Sequence, residues 1–217
     1  MDLLRNGPEE AFTRIVLAHG AGAGMDSPFM QTIAEGLAAR GFSVVRFEFP
    51  YMREKRRGGA KRGPDRQDVL VHAWRDAIEA LGGARSLVLG GKSLGGRIAS
   101  LIADEVGAKG LVCLGYPFHP PGRPRVLRTR HLERLDTPTL IVQGARDSMG
   151  SREEVPEYTL SSRIHVTWIE DGDHSLKPRR RSGCDPAQAL ANAVDHVATF
   201  VTGLDARPAP AVEASTR

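Results

Sequence analysis

The sequence predicts a single-domain, doubly wound α/β fold built on a mostly parallel sheet of about six strands. Three observations predict it. Short, β-branched apolar runs alternate with segments whose apolar residues recur at helical spacing. Several of those runs end in glycine, as a strand does when it turns into a crossover helix. The chain has 217 residues, 41% hydrophobic and 26% charged, which suits one domain with a core that needs neither disulfides nor metals.

The first strand is Thr13-Arg-Ile-Val-Leu-Ala-His-Gly20, followed by a glycine loop to Gly24. Ser27-Pro28 reads as a cap with proline at the first helical position, and Phe29, Ile33 and Leu37 form the stripe of that helix. Phe42 to Phe49 is the second strand, ended by Pro50, and a basic loop is expected from Tyr51 to about Arg66. Leu70, Trp74, Ile78 and Leu81 mark a helix, and Ser86 to Gly90 a strand. A helix is expected from Leu94 to Glu105, then a strand from Gly110 to Gly115. Tyr116 to Arg130, rich in proline and arginine, reads as an irregular excursion, with helix resuming over Thr129 to Leu135. Thr139 to Gly144 is a strand, and Ile164, Val166 and Trp168 alternate on another. The last helix starts at Asp185-Pro186, carries Leu190, Val194, Val197 and Val201, and is expected to stop at Gly203. The domain is thus expected to span residues 1–203, with residues 204–217 a disordered tail.

Chemistry in such a sheet belongs to the loops beyond the carboxyl ends of the strands. Gly91-Lys-Ser-Leu-Gly95 is a G-x-S-x-G sequence between a strand and a helix. There a sharp turn lifts a serine hydroxyl into the cleft and the glycines admit neighbouring backbone. Ser93 is the expected nucleophile. Of the seven histidines, His174 follows the last strand in a loop, Glu170-Asp-Gly-Asp-His-Ser175, and is the expected base. Asp147, just past the strand ending at Gly144, is the expected acid that orients it. The oxyanion is assigned to the backbone N–H groups of Ala21 and Leu94, with His19 shaping the glycine loop. Gly22, Tyr51, Lys92, Tyr116, His119 and Met149 are expected to line the substrate cleft.

The net charge is +4 and concentrates in two loops, one with Arg53, Lys55, Arg56, Arg57, Lys61, Arg62 and Arg66, the other with Lys177, Arg179, Arg180 and Arg181. Solvated loops are one reading and attraction of an anionic substrate the other. With little aromatic interleaving, nucleic acid is not an expected partner. The glycine loop lacks the spacing of a dinucleotide site. The two cysteines, Cys113 and Cys184, fit neither a disulfide framework nor a metal site, so no metal is expected. No run approaches the roughly 20 apolar residues of a membrane span, and a cytoplasmic location is expected.

His19-Gly20 with its loop, Gly91-Lys-Ser-Leu-Gly95, Gly144-Ala-Arg-Asp147 and Gly172-Asp-His174 together resemble the α/β-hydrolase superfamily, in its order of serine, acid and histidine. His19-Gly-Ala-Gly-Ala-Gly-Met-Asp26, Phe47-Glu-Phe-Pro-Tyr51 and Gly115-Tyr-Pro-Phe-His-Pro-Pro121 narrow the resemblance. They are similar to small bacterial hydrolases related to the dienelactone-hydrolase group, and to the hydrolase-like domain of vertebrate testis-expressed and chromatin-complex subunit proteins. The resemblance covers residues 12–203. It implies a minimal hydrolase fold without cofactor, a missing first hairpin and little or no lid. Serine stands where the dienelactone hydrolases carry cysteine. The function expected is serine-dependent cleavage of a carboxylic ester or related acyl bond of a small molecule. The alternatives are a peptidase or acyltransferase with the same three groups, and a noncatalytic protein-interaction module.

Overall fold

The computed structural model describes residues 1–11, 13–59 and 62–205. Seven strands form one sheet: β1 (Leu3–Asn6), β2 (Arg14–Ala18), β3 (Ser43–Phe47), β4 (Leu87–Lys92), β5 (Gly110–Leu114), β6 (Thr139–Gly144) and β7 (Ile164–Ile169). Their spatial order is β1-β3-β2-β4-β5-β6-β7; β1 pairs antiparallel with β3 and every other pair is parallel. The helices are α1 (Pro28–Ala38), α2 (Pro50–Arg56), α3 (Gln67–Ala80), α4 (Leu94–Ser100) and α5 (Pro186–Asp205).

Side-chain alternation divides the interior between the two faces of the sheet. Val16, Leu87, Leu89, Leu111 and Ile141 point to one face, where α3 and α4 cover them with Trp74, Ala77, Ile98 and Ala99. Ile15, Val88, Val112, Leu140 and Val142 point to the other, beneath α1 and α5 with Ile33, Leu37, Val194 and Val197. Apolar residues on both faces explain why the central strands read as unbroken hydrophobic runs.

This arrangement also fixes where a cleft can open. β2 and β4 are neighbours. The chain leaves β2 for α1 on one face and leaves β4 for α4 on the other. Loops that part to opposite faces leave a crevice at the carboxyl edge between them.

Several boundaries differ from the sequence reading. The edge strand β1 went unread because it is four residues long and half-exposed, with no apolar run. It puts an antiparallel strand where the resemblance implied a missing hairpin. Pro50 opens α2 as well as ending the strand, and Tyr51 and Met52 turn inward, so the expected loop begins as a helix. α4 ends at Ser100 because the backbone tightens to i→i−3 bonds, Leu101 N to Ile98 O and Ile102 N to Ala99 O. Only a single 3₁₀ turn, Leu132–Arg134, forms within Thr129 to Leu135. α5 runs past Gly203 to Asp205, since Leu204 still packs against the sheet and Asp205 accepts a 2.7 Å bond from the Thr13 hydroxyl. The rest of the expected tail, residues 206–217, lies outside the described residues. Cys113 is buried in the core beneath α4, and burial pushes its thiol pKa upward. Among the described residues no helix is long and apolar enough to cross a membrane, and no cluster of ligating side chains could hold a metal.

Candidate active site

Ser93 stands between β4 and α4 with φ +49° and ψ −111°. That left-handed conformation costs a non-glycine residue on the order of 1–3 kcal/mol. The turn is held by its surroundings: Ser93 N–H donates to Leu114 O at 3.0 Å, and Arg97 N–H donates to Ser93 O at 3.0 Å. Gly95 lets the turn lie against β2, because a Cβ there would sit 2.2 Å from Ala18 O and 2.8 Å from His19 O.

The Ser93 hydroxyl donates to His174 Nε2 at 2.8 Å, and His174 Nδ1–H donates to Asp147 Oδ2 at 2.7 Å. The carboxylate can only accept, so the proton belongs on Nδ1 and Nε2 faces the serine as acceptor. Asp147 is fully buried. Its Oδ1 accepts Met149 N–H at 2.9 Å and its Oδ2 also accepts Gln143 Nε2 at 2.9 Å. The loop carrying His174 reaches Asp147 because Gly144 has no side chain: a Cβ would meet Asp173 O at 2.2 Å. The two aspartates nearest His174 in sequence, Asp171 and Asp173, are occupied elsewhere. Asp171 binds Arg146 and Arg179, whose charges hold its carboxyl well below the usual range, and Asp173 accepts Ser175 N–H at 2.7 Å within its own turn.

His19 and Tyr51 orient the glycine loop. Phe49 N–H donates to His19 Nε2 at 3.0 Å, so His19 Nδ1 carries the proton and donates to Gly20 O at 2.7 Å. Burial lowers the pKa of this ring and keeps it neutral. The Tyr51 hydroxyl lies 3.3 Å from Gly20 O and donates to Ala21 O at 3.0 Å. A trans peptide points its N–H opposite its C=O, so drawing Gly20 O inward turns Ala21 N–H outward, toward the cavity that Ala21 borders. Leu94 borders the same cavity and opens α4, where an N–H has no partner within its own helix.

The cavity holds about 690 Å³. Gly22, Lys92, Ser93, Met149 and His174 line it, as do Pro117, Pro121 and Arg128 of the excursion, which form one wall. Three residues expected in the cleft do not line it. Tyr51 is buried with its hydroxyl committed to the glycine loop. Tyr116 is buried, its N–H donating to Gln143 Oε1 at 2.7 Å and its hydroxyl to Arg128 O at 3.1 Å. His119 is 2% exposed and turns Nδ1 toward Pro120 O at 3.0 Å. Lys92 lies beside His174, donating to its backbone O, with its ammonium 5.4 Å from the Phe29 ring centre; burial pushes its pKa down to about 8.

Pro64 of the first basic loop lines the cavity, but none of the described cations of either loop does. Carboxylates close by hold several of their cations: Glu48 and Asp26 hold Arg56, Glu54 and Asp65 hold Arg62, and Asp171 holds Arg179.

Gln143 is the residue the sequence reading missed. It is fully buried at the end of β6, binds Asp147 and both backbone groups of Tyr116, and donates to Gly150 O at 3.0 Å. Its signal was an amide inside an otherwise apolar strand. Gln143→Leu leaves the Tyr116 N–H without its acceptor and takes a donor from Asp147. The variant is expected to lose about 1–3 kcal/mol of stability, read as a lower midpoint in urea denaturation, and an unchanged midpoint would contradict that role.

A parallel sheet, a serine on a strained strand-to-helix turn and a histidine bonded to it define a hydrolase of the α/β class. The chain belongs to the family described as the alpha/beta hydrolase domain, whose model matches residues 11–202. Solved structures share the fold. A serine hydrolase homologue from Coxiella burnetii superposes with a TM-score of 0.68 at 19% identity, over 91% of this chain and 89% of that one. A serine hydrolase without lid from Xanthomonas campestris gives 0.68 at 20% identity, over 95% and 91%. Est1E from Butyrivibrio proteoclasticus, with ferulic acid bound, gives 0.68 at 13% identity, over 95% and 96%.

Proposed function

We propose that the protein is a serine hydrolase that cleaves a carboxylic ester of a small molecule through an acyl-enzyme. The observation that carries this reading is the continuous hydrogen-bonded path from the Ser93 hydroxyl through His174 to buried Asp147, opening on a cavity. Ser93 Oγ attacks the acyl carbon while His174 Nε2 takes its proton. Asp147 stabilises the imidazolium that forms, and Gln143 positions Asp147. The amides of Ala21 and Leu94 receive the oxyanion. His174 then protonates the departing alkoxide, activates a water against the acyl-enzyme and returns the proton to Ser93.

The cavity is walled by the excursion rather than by a helical lid, which suits a small ester with an accessible carbonyl. A purely interacting module would gain nothing from the strain at Ser93 or from a buried carboxylate aligned on a histidine.

A fluorophosphonate probe tests the reading. One adduct per chain, mapped by peptide mass to the segment containing Ser93 and absent in Ser93→Ala, is expected. Failure to label, or labelling that survives the substitution, would reject it.

A further inference from the structure

The cavity beside Ser93 is cationic in a way the proposed reaction does not require. Lys92, Arg97 and Arg128 line it, and no carboxylate lines it among the described residues. Arg97 lies four residues after Ser93 on α4, one helical turn or about 5–6 Å along the axis, on the same side of the helix. Its Nη2 donates to Gln67 Oε1 at 3.1 Å, and its Nε is buried without a partner. A buried donor left unpaired is costly and marks a place where an acceptor belongs. Arg128 approaches from the excursion and forms no ion pair with any described carboxylate. Partial burial, and after it the like charge of Arg97, pull the pKa of Arg128 downward.

Both arginines rest on a buried polar support. The Ser100 hydroxyl donates to Arg97 O at 2.7 Å and lies 2.8 Å from His131 Nε2, while the Tyr116 hydroxyl donates to Arg128 O. Burial and the Arg97 charge push the His131 pKa down to about 4, so this support is neutral and adds no further positive charge. Two guanidinium groups lining one cavity without a carboxylate repel each other, and an anion between them removes that repulsion.

We infer that Arg97 and Arg128 form an anion subsite, and that the substrate is an ester carrying a carboxylate or phosphate about one helical turn from the scissile carbonyl. The inference rests on the hydrolase reading of Ser93 for the reaction, and on the cavity alone for the anion. The forked donors of arginine match the paired oxygens of either group.

A matched pair of esters tests it: the 4-nitrophenyl monoester of glutaric acid, which keeps a free carboxylate, and its methyl ester, which does not. The native enzyme is expected to favour the free acid in kcat/KM by at least about tenfold. In Arg97→Gln/Arg128→Gln that ratio should fall toward one, while Arg97→Lys/Arg128→Lys should keep part of it. A structural role would lower both esters alike and leave the ratio standing. Equal rates on the two esters in the native enzyme, or a ratio unmoved by the glutamine pair, overturn the subsite without touching the hydrolase reading. Should neither ester turn over and Ser93 fail to label, the hydrolase reading fails, and calorimetric titration with glutarate and with inorganic phosphate decides the subsite separately. Heat that disappears in the glutamine variant supports it, and the anion giving the larger signal distinguishes carboxylate from phosphate. No heat with either anion overturns it.

Discussion

Ser93→Ala is expected to lower kcat/KM on a 4-nitrophenyl ester by about 10⁴-fold or more, with no loss of stability. The substitution removes one oxygen. The Cβ and the φ of +49° remain, so the strain at the turn and the bond from Ser93 N–H to Leu114 O are kept. What disappears is the proposed nucleophile, the only hydroxyl bonded to His174 Nε2 among the described residues. Asp147→Asn should approach the same loss by another route. An amide Nδ2 facing His174 can donate, which favours the tautomer with Nε2 protonated and unable to accept the serine proton. Activity measured beside a thermal melt separates chemistry from folding. A loss of less than about tenfold in Ser93→Ala, with the melt unchanged, would remove Ser93 from the reaction.

Gly95→Ala is expected to produce the largest loss of stability, about 3 kcal/mol or more, or a drop in Tm of roughly 6–12 °C. The added Cβ would meet Ala18 O at 2.2 Å, Ala18 C at 2.6 Å and His19 O at 2.8 Å. All three are backbone atoms at the end of β2 or just beyond it, and no rotamer can move them aside. Either α4 tilts away from the sheet or β2 shifts, and β2 leads directly into the glycine loop. The activity should therefore fall further than the melt alone explains, because Ala21 and Ser93 separate. Calorimetry and ester hydrolysis on the same sample measure both. A melt within a degree or so of the native protein would show that the turn and β2 are not locked together as described.

Much of the site was legible in the sequence because its members follow strands, and strands with two covered faces read as apolar runs. Ser93 and Asp147 each lie a few residues beyond such a run, and His174 beyond the alternating strand β7, so a sequence reading can put them on the carboxyl edge of a sheet. The structure then brings them within hydrogen-bond distance of one another. Tyr51, Tyr116 and His119 were misread for one reason: polar tips in loops beside a cleft look like cleft walls. Which way a side chain turns depends on contacts distant in sequence, such as Tyr51 with Ala21 or Tyr116 with Gln143. The strand β1 escaped because four half-exposed residues carry no periodic signal; it exists through its pairing with β3.

Local chemistry set the elements: β-branched runs made strands, glycines allowed the turns, and G-x-S-x-G marked the turn that carries Ser93. These are properties of a residue and its near neighbours, so the amino-acid order alone determined them. Charge was another matter. By composition the loops at 53–66 and 177–181 were the cationic places, yet folding matched several of their arginines with carboxylates and instead set Arg97 and Arg128 beside Ser93 with none. Those pairs are local, between residues three to eight positions apart, whereas Arg56 with Asp26 and Arg97 with Arg128 are about 30 positions apart, and at that spacing only the packed sheet determines the separation in space.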